Sequence, residues 1–214
     1  MPRSRFFLKA GVFLICLTPL TLLLTAGVMG NLSANPIKDI TEDTGVWTLR
    51  FLLLTLCLTP LRKLSGWNEV IRFRRMLGLF AFFYGFLHLM TYLWLDQFFS
   101  LPSILHDVVK RPFITAGTAG FLIMAPLAVT STRKWIGRLG GKRWQLLHRL
   151  VYLSAAAGVA HYLWLVKADI QRPVTYGVLL SILLGYRLLS AMSARLASRK
   201  MHRGTILSYS RSYD

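Results

Sequence analysis

Apolar residues in this chain come in long blocks separated by short polar and basic stretches. The blocks run to about 20 residues, the length a helix needs to cross about 30 Å of hydrocarbon. A soluble domain would scatter its apolar positions at periods of about 2 or 3.6, and as a soluble fold these blocks would be left as large exposed patches. Six blocks are expected as membrane-spanning helices, at about Leu8–Met29, Val46–Leu61, Met76–Leu95, Phe113–Thr130, Leu147–Val166 and Val174–Met192. The expected architecture is all-α, a polytopic bundle of six transmembrane helices in a single membrane domain, residues 1–214. The first block follows Arg3, Arg5 and Lys9 as a signal peptide would. Its apolar run exceeds the usual 7–15 or so residues of a signal, so it is expected to be a retained helix.

Charge then orients the bundle. The formal net charge is +18, and the basic residues sit between the blocks. One side holds Arg3, Arg5 and Lys9, then Arg62, Lys63, Arg72, Arg74 and Arg75, then Arg133, Lys134, Arg138, Lys142 and Arg143. The segment 193–214 adds Arg195, Arg199, Lys200, Arg203 and Arg211 to that side. The other side has Lys38, Lys110, Arg111, Lys167 and Arg172, with Arg50 placed to snorkel from a span end, and most of the acids: Asp39, Glu42, Asp43, Asp96, Asp107 and Asp169. The positive-inside rule therefore puts both termini in the cytoplasm, with 193–214 a short cytoplasmic tail, frayed or lying on the lipid surface. Trp47, Trp94 and Trp164 near the outer span ends, and Trp67, Trp135 and Trp144 near the inner ends, fit aromatic belts. A nucleic-acid role is excluded, because the charge forms no stripe interleaved with stacking aromatics and no binding motif is present. The connections are short, and the longest has room for a small amphipathic piece and no more. Cys16 and Cys57 lie inside apolar blocks without a CxxC partner and read as small hydrophobes.

Histidine is the residue type that changes the picture. His106 falls in an outer loop and His202 in the tail, both ordinary surface positions. His88 lies inside the third span, His161 deep in the fifth and His148 at the inner start of the fifth. An ionisable group within a span is a functional candidate by default, set against a neutral histidine bonded to a neighbouring backbone or hydroxyl. His88 is about 12 and His161 about 14 residues from the inner ends of their spans, so both sit roughly 20 Å up. Two imidazoles at one depth can take both axial positions of a haem iron, a closed arrangement suited to electron transfer. Zinc would ask for a third or fourth ligand at that depth. His148 lies 13 or so residues before His161, about 20 Å deeper and about 220° round the helix, and the third span has no second histidine there. Arg74 and Arg75 occupy that level, as partners for haem propionates, as an approach to an iron, or as ordinary positive-inside charge. One haem is expected from the pair, and a second at His148 stays open. Gly78, Gly85, Gly117, Gly120 and Gly158 allow either close helix packing or room for a macrocycle. The loop GRLGGKR (137–143) follows no strand and is not a phosphate-binding turn.

From about Thr44 to Leu189 the chain resembles the MsrQ family, haem-binding membrane subunits of a periplasmic methionine-sulfoxide reductase system, within the ferric-reductase-like transmembrane group. The segments that carry the resemblance are TGVWTLRFLLLTLCLTPLR, RRMLGLFAFFYGFLHLMTYLWLD, KRPFITAGTAGFLIMAPLAVTS, LGGKRWQLLHRLVYL and HYLWLVKAD. The resemblance implies electrons passing from the quinone pool or a cytosolic flavin reductase, through haem b, to a periplasmic molybdenum-containing partner that reduces methionine sulfoxide in oxidised proteins. It also implies an association with FMN, for which no site is identifiable here. By motif position it makes His88, His148 and His161 the haem histidines; related NADPH oxidases and ferric reductases carry a fourth.

The expected role is thus a redox subunit of an oxidoreductase complex rather than its catalytic subunit. One alternative is a self-contained transmembrane ferric or quinone reductase, against which the missing FAD/NAD(P)H module counts. Another is a non-redox transporter or scaffold, which would show broken helices in matching halves. Pro19 and Pro126 interrupt spans, but no intramembrane charge is paired with them.

Overall fold

The computed structural model describes residues 3–210, with side chains for residues 5–193 and 196. All its regular elements are helical: α1 (Arg3–Val28), α2 (Pro36–Ser65), α3 (Arg74–Met90), α4 (Leu101–Lys110), α5 (Pro112–Val129), α6 (Arg133–Leu139), α7 (Gly141–His148), α8 (Val151–Leu165) and α9 (Gln171–Ser210). A 3₁₀ segment, Asn68–Phe73, leads into α3, and a π-helical turn, Thr91–Asp96, leads out of it.

Local chemistry sets the ends of α2. The Asn35 side chain accepts from the Lys38 N–H at 3.2 Å and Pro36 opens the first turn, where its missing N–H costs nothing. Gly66, at φ 70°, closes the helix in the left-handed conformation, its N–H bonding Arg62 O at 3.0 Å. α2 is the central element. One face packs with α1 and α3 through Phe51, Leu52, Leu58, Leu77, Phe80, Ala81 and Tyr84. The other packs with α8 and α9 through Leu49, Leu53, Leu56, Ala155, Val159 and Leu180. α5 joins α8 closely: a Cβ on Gly120 would lie 3.3 Å from Ala157 Cβ, and Ser154 Oγ donates to Gly120 O at 2.9 Å.

Two of the prolines inside helices are compensated. Pro19 leaves Ile15 O without its usual donor, and the Thr18 hydroxyl donates to it instead. Beside it the Tyr84 hydroxyl enters the α1 ladder, accepting from Leu20 N–H at 3.1 Å and donating to Cys16 O at 3.0 Å. Pro60 likewise frees Leu56 O, which accepts from Arg187 Nη2 at 2.7 Å.

Five helical stretches are long and apolar enough to cross a membrane: Arg5–Val28, Pro36–Ser65, Asn68–Asp96, Pro112–Val129 and Gln171–Ser193. The expected fifth span, Leu147–Val166, is divided instead. α7 ends at His148, Arg149 and Leu150 form a turn, and α8 has 15 residues. At 1.5 Å per residue α8 covers about 22 Å, less than the full hydrocarbon thickness. The tail also differs from expectation: α9 runs unbroken to Ser210, because Ala, Arg, Leu, Lys and Met sustain a helix past the span. His202, Arg195, Arg199, Lys200, Arg203 and Arg211 lie outside the described side chains. The connections hold more than the single small piece expected of the longest: α4 lies between α3 and α5, and α6 and α7 lie between α5 and α8.

Candidate functional site

His88 on α3 and His161 on α8 come together in the bundle, half-buried, with ring centroids 5.9 Å apart and planes at 81°. The equal depth counted along the two spans is what brings them face to face.

Each ring is held in the same way. His88 Nδ1 lies 2.9 Å from Thr41 O on α2, and His161 Nδ1 lies 2.6 Å from Phe113 O on α5. A carbonyl only accepts, so each Nδ1 carries the proton and each Nε2 keeps its lone pair. One turn after each carbonyl stands a glycine. A Cβ on Gly45 would lie 3.0 Å from His88 Nδ1, and one on Gly117 only 2.7 Å from His161 Nδ1. The missing Cβ atoms let each imidazole sit against a helix backbone and reach the carbonyl four residues back. The unit is therefore a carbonyl at i and a glycine at i+4, built once on α2 and once on α5. Of the glycines singled out from the sequence, Gly117 belongs to it. Gly78, Gly85, Gly120 and Gly158 pack against Thr55, Met124, Ala157 and Leu49 and serve helix contact. Gly45 carried no sequence signal of its own.

The donor set fits a haem iron. Metal–imidazole bonds of about 2 Å on either side, plus the half-width of each ring, add to roughly the observed centroid separation. A hydrogen bond from the distal ring nitrogen to a carbonyl is the usual support of a ligating histidine, fixing its tautomer and raising its basicity. Among the described residues no three His, Cys, Asp or Glu side chains gather as a metal-binding group, so the pair has no third protein ligand of the sort zinc would want.

His148 is placed differently. Its Nε2 lies 3.0 Å from Thr130 Oγ1, and its ring stacks on Trp144 at 4.0 Å. Trp144 Nε1 donates to Thr130 O at 2.9 Å. Trp144 is thus turned inward onto His148, where the sequence suggested a membrane-interface tryptophan. No second histidine faces His148 among the described residues. Arg74 is half-buried and within electrostatic reach of His148, Tyr152 and Arg187, whereas Arg75 is exposed. Arg187, inside the sixth expected span, went unweighed in the sequence, although an ionisable residue within a span is a signal in itself. At the other end Asp107 is buried, accepting from Tyr92 Oη at 3.1 Å and pairing with Arg111 Nε at 3.2 Å, which ties α4 down beside the end of α3. His106 is exposed next to it, as expected, but it lies on the helix α4 and not in a loop.

The model of the family described as ferric reductase like transmembrane component matches residues 44–159. That range contains His88, His148, Arg74 and both glycines of the carbonyl–glycine units, and it stops just short of His161. Three relatives are each named protein-methionine-sulfoxide reductase heme-binding subunit MsrQ. That of Azospira oryzae is 54% identical, covering 87% of this chain and 80% of its own length. That of Herminiimonas arsenicoxydans is 50% identical, covering 91% and 90%, and that of Rhodospirillum rubrum is 50% identical, covering 89% and 92%. No solved structure matches the chain. With identities of this order along nearly its whole length, a family match across the bundle and helices long enough to span a bilayer, the chain is a multi-pass membrane protein that belongs to the MsrQ family of the ferric-reductase-like transmembrane group.

Proposed function

We propose that this protein is the haem b electron-transfer subunit of a methionine-sulfoxide reductase system in the bacterial inner membrane. The observation that carries the reading is the facing pair His88 and His161, each with Nδ1 on a backbone carbonyl and Nε2 left free. The two Nε2 atoms would hold the haem, which would supply one-electron transfer when bound. With an imidazole engaged from each of the two helices, the site would suit carriage of electrons rather than chemistry on a small ligand. Thr41 O and Phe113 O keep both rings oriented, and Gly45 and Gly117 let the rings approach.

The donor is the quinone pool or a cytosolic flavin reductase, meeting the basic inner face. The acceptor is a periplasmic molybdenum-containing subunit that reduces methionine sulfoxide in oxidised proteins. The names of the relatives, each a heme-binding subunit of a protein-methionine-sulfoxide reductase, support the haem and the acceptor's chemistry. FMN is a further cofactor by family resemblance. A second haem would use His148, with Arg74 or Arg75 near it. The match to the ferric reductase like transmembrane component also favours a second reading, direct reduction of a small acceptor. Deleting the periplasmic reductase separates the two, because only the first reading then loses its electron outlet.

The test is purification in mild detergent with reduced-minus-oxidised spectra and a pyridine haemochrome count. Sharp low-spin b-type bands are expected, and His88→Ala and His161→Ala should each abolish the haem held between these two residues. Unchanged haem content in both variants would overturn the ligand assignment.

A further inference from the structure

Arg187 presents a chemical problem that the histidine pair does not solve. Its guanidinium is held at two corners: Nη1 donates to Tyr152 Oη, and Nη2 donates to Leu56 O at 2.7 Å. The second anchor is dictated by sequence, since Pro60 has no N–H to give to Leu56 O. The carbon Cζ sits 5.0 Å over the Tyr152 ring. Nε is buried and has no acceptor. A buried unpaired donor is costly, most of all on a charged group within a membrane bundle.

The surroundings deepen the problem. Arg74 lies close enough to Arg187 to repel it, and among the described residues neither arginine has an ion pair. Glu69, the acid at this end of the bundle, is taken by Arg72. His148 and Tyr152 complete the cluster, four residues apart across the turn between α7 and α8. Arg74 is thus within electrostatic reach of both Arg187 and the His148 imidazole, and among the described residues no carboxylate pairs with either arginine. A cation within a membrane bundle is met by backbone carbonyls or by a counter-ion, and here the carbonyl of Leu56 leaves Nε unmet. The ligand that belongs here is an anion, and the imidazole within the same cluster points to one that also carries a metal.

The geometry points to Arg187 as a cofactor-binding residue: with Arg74 it takes a carboxylate arm of a haem seated at His148, in the cytoplasmic half of the bundle. This rests on the haem reading of the protein. The Pro60–Leu56 break in α2 and the Tyr152 hydroxyl aim Arg187 at the site, so its orientation precedes binding. A cation beside the haem carboxylate favours the reduced state, because it offsets the negative charge that reduction leaves uncompensated.

The experiment uses the full chain in mild detergent, as wild type, Arg187→Gln, Arg187→Lys, His148→Ala and His88→Ala. Haem per protein, visible redox titrations and phosphorus in co-purifying lipid are measured on material of wild-type elution volume. Arg187→Gln should shift to lower potential, or remove, the component that His148→Ala removes, leaving the His88-dependent component in place. Arg187→Lys, which keeps the charge, should show the smaller change. Wild-type haem content with a superimposable titration in Arg187→Gln would overturn the proposal. So would loss of bound phospholipid with an unchanged titration, which would assign the site to a headgroup phosphate. A single wild-type haem component that needs His88 and ignores His148 and Arg187 would overturn this proposal alone, whereas a wild type without haem would overturn the haem reading beneath it.

Discussion

At the scale of single residues, the tightest constraint in the molecule is a missing methyl group. Gly117 faces His161 Nδ1 at a distance no Cβ tolerates, and Gly45 faces His88 almost as closely. The neighbouring carbonyls hold the rings from the other direction, so neither ring can withdraw without losing its hydrogen bond. Gly117→Ala is expected to displace His161, lowering haem content and broadening the low-spin bands. Gly45→Ala should do the same to a lesser degree. Gly137→Ala, where an added Cβ meets nothing within 4 Å, should keep wild-type spectra and serves as the control. Equal haem content in all three variants would show that the carbonyl–glycine units do not position the ligands. The histidines themselves were legible as residues: type, span and depth pointed to the pair. Thr41 and Phe113 were not, because they act through carbonyls, which every residue has, and only packing decides which of them meets a ring.

Among the elements, α1 is only loosely embedded in the rest, with Phe6, Phe7, Leu14, Ile15 and Leu22 all exposed. What ties it in is Cys16 in the core beside Phe51, Phe80 and Tyr84, and the Tyr84 hydroxyl seated in its ladder next to Pro19. Tyr84→Phe removes both bonds to a buried backbone donor and acceptor. It should cost about 1–3 kcal/mol, read as a lower thermal midpoint in detergent and faster proteolysis of α1, with haem spectra intact. An unchanged midpoint would mean that α1 is held by apolar packing alone. The hydrophobic pattern located α1, α3 and α5 within a few residues of their observed places, whereas α2 begins at Pro36, well before the expected Val46, and α9 runs on from the expected Met192 to Ser210. The pattern missed the turn at Arg149–Leu150, since no glycine or proline marks it. His148 hydrogen-bonds Thr130 and stacks on Trp144 immediately before that turn, and both partners come from outside α8.

For the whole molecule, the distribution of basic residues orients the bundle. The connection of α6 and α7 carries Arg133, Lys134, Arg138, Lys142 and Arg143 and should face the cytoplasm, with α4 on the opposite side. In a chain whose own cysteines are replaced by alanine, Ser103→Cys should react with an impermeant maleimide on intact spheroplasts. Lys142→Cys should react only after permeabilisation, and the reverse pattern would invert the topology. In this orientation the His88–His161 pair lies toward the periplasmic side, and the Arg74–His148–Arg187 cluster toward the cytoplasm.

The sequence by itself determined the bilayer as the solvent, the helical class, the distribution of charge and the histidines worth watching. Each follows from properties summed along a segment: apolar length, net charge of a loop, depth counted at a fixed rise. Tertiary structure alone decided which backbone carbonyls orient the imidazoles, why Gly45 matters, that Trp144 turns inward, and that Arg187 lies unpaired beside Arg74. Those facts depend on contacts between helices far apart in the chain, and a pattern along one helix does not record what its neighbour presents to it.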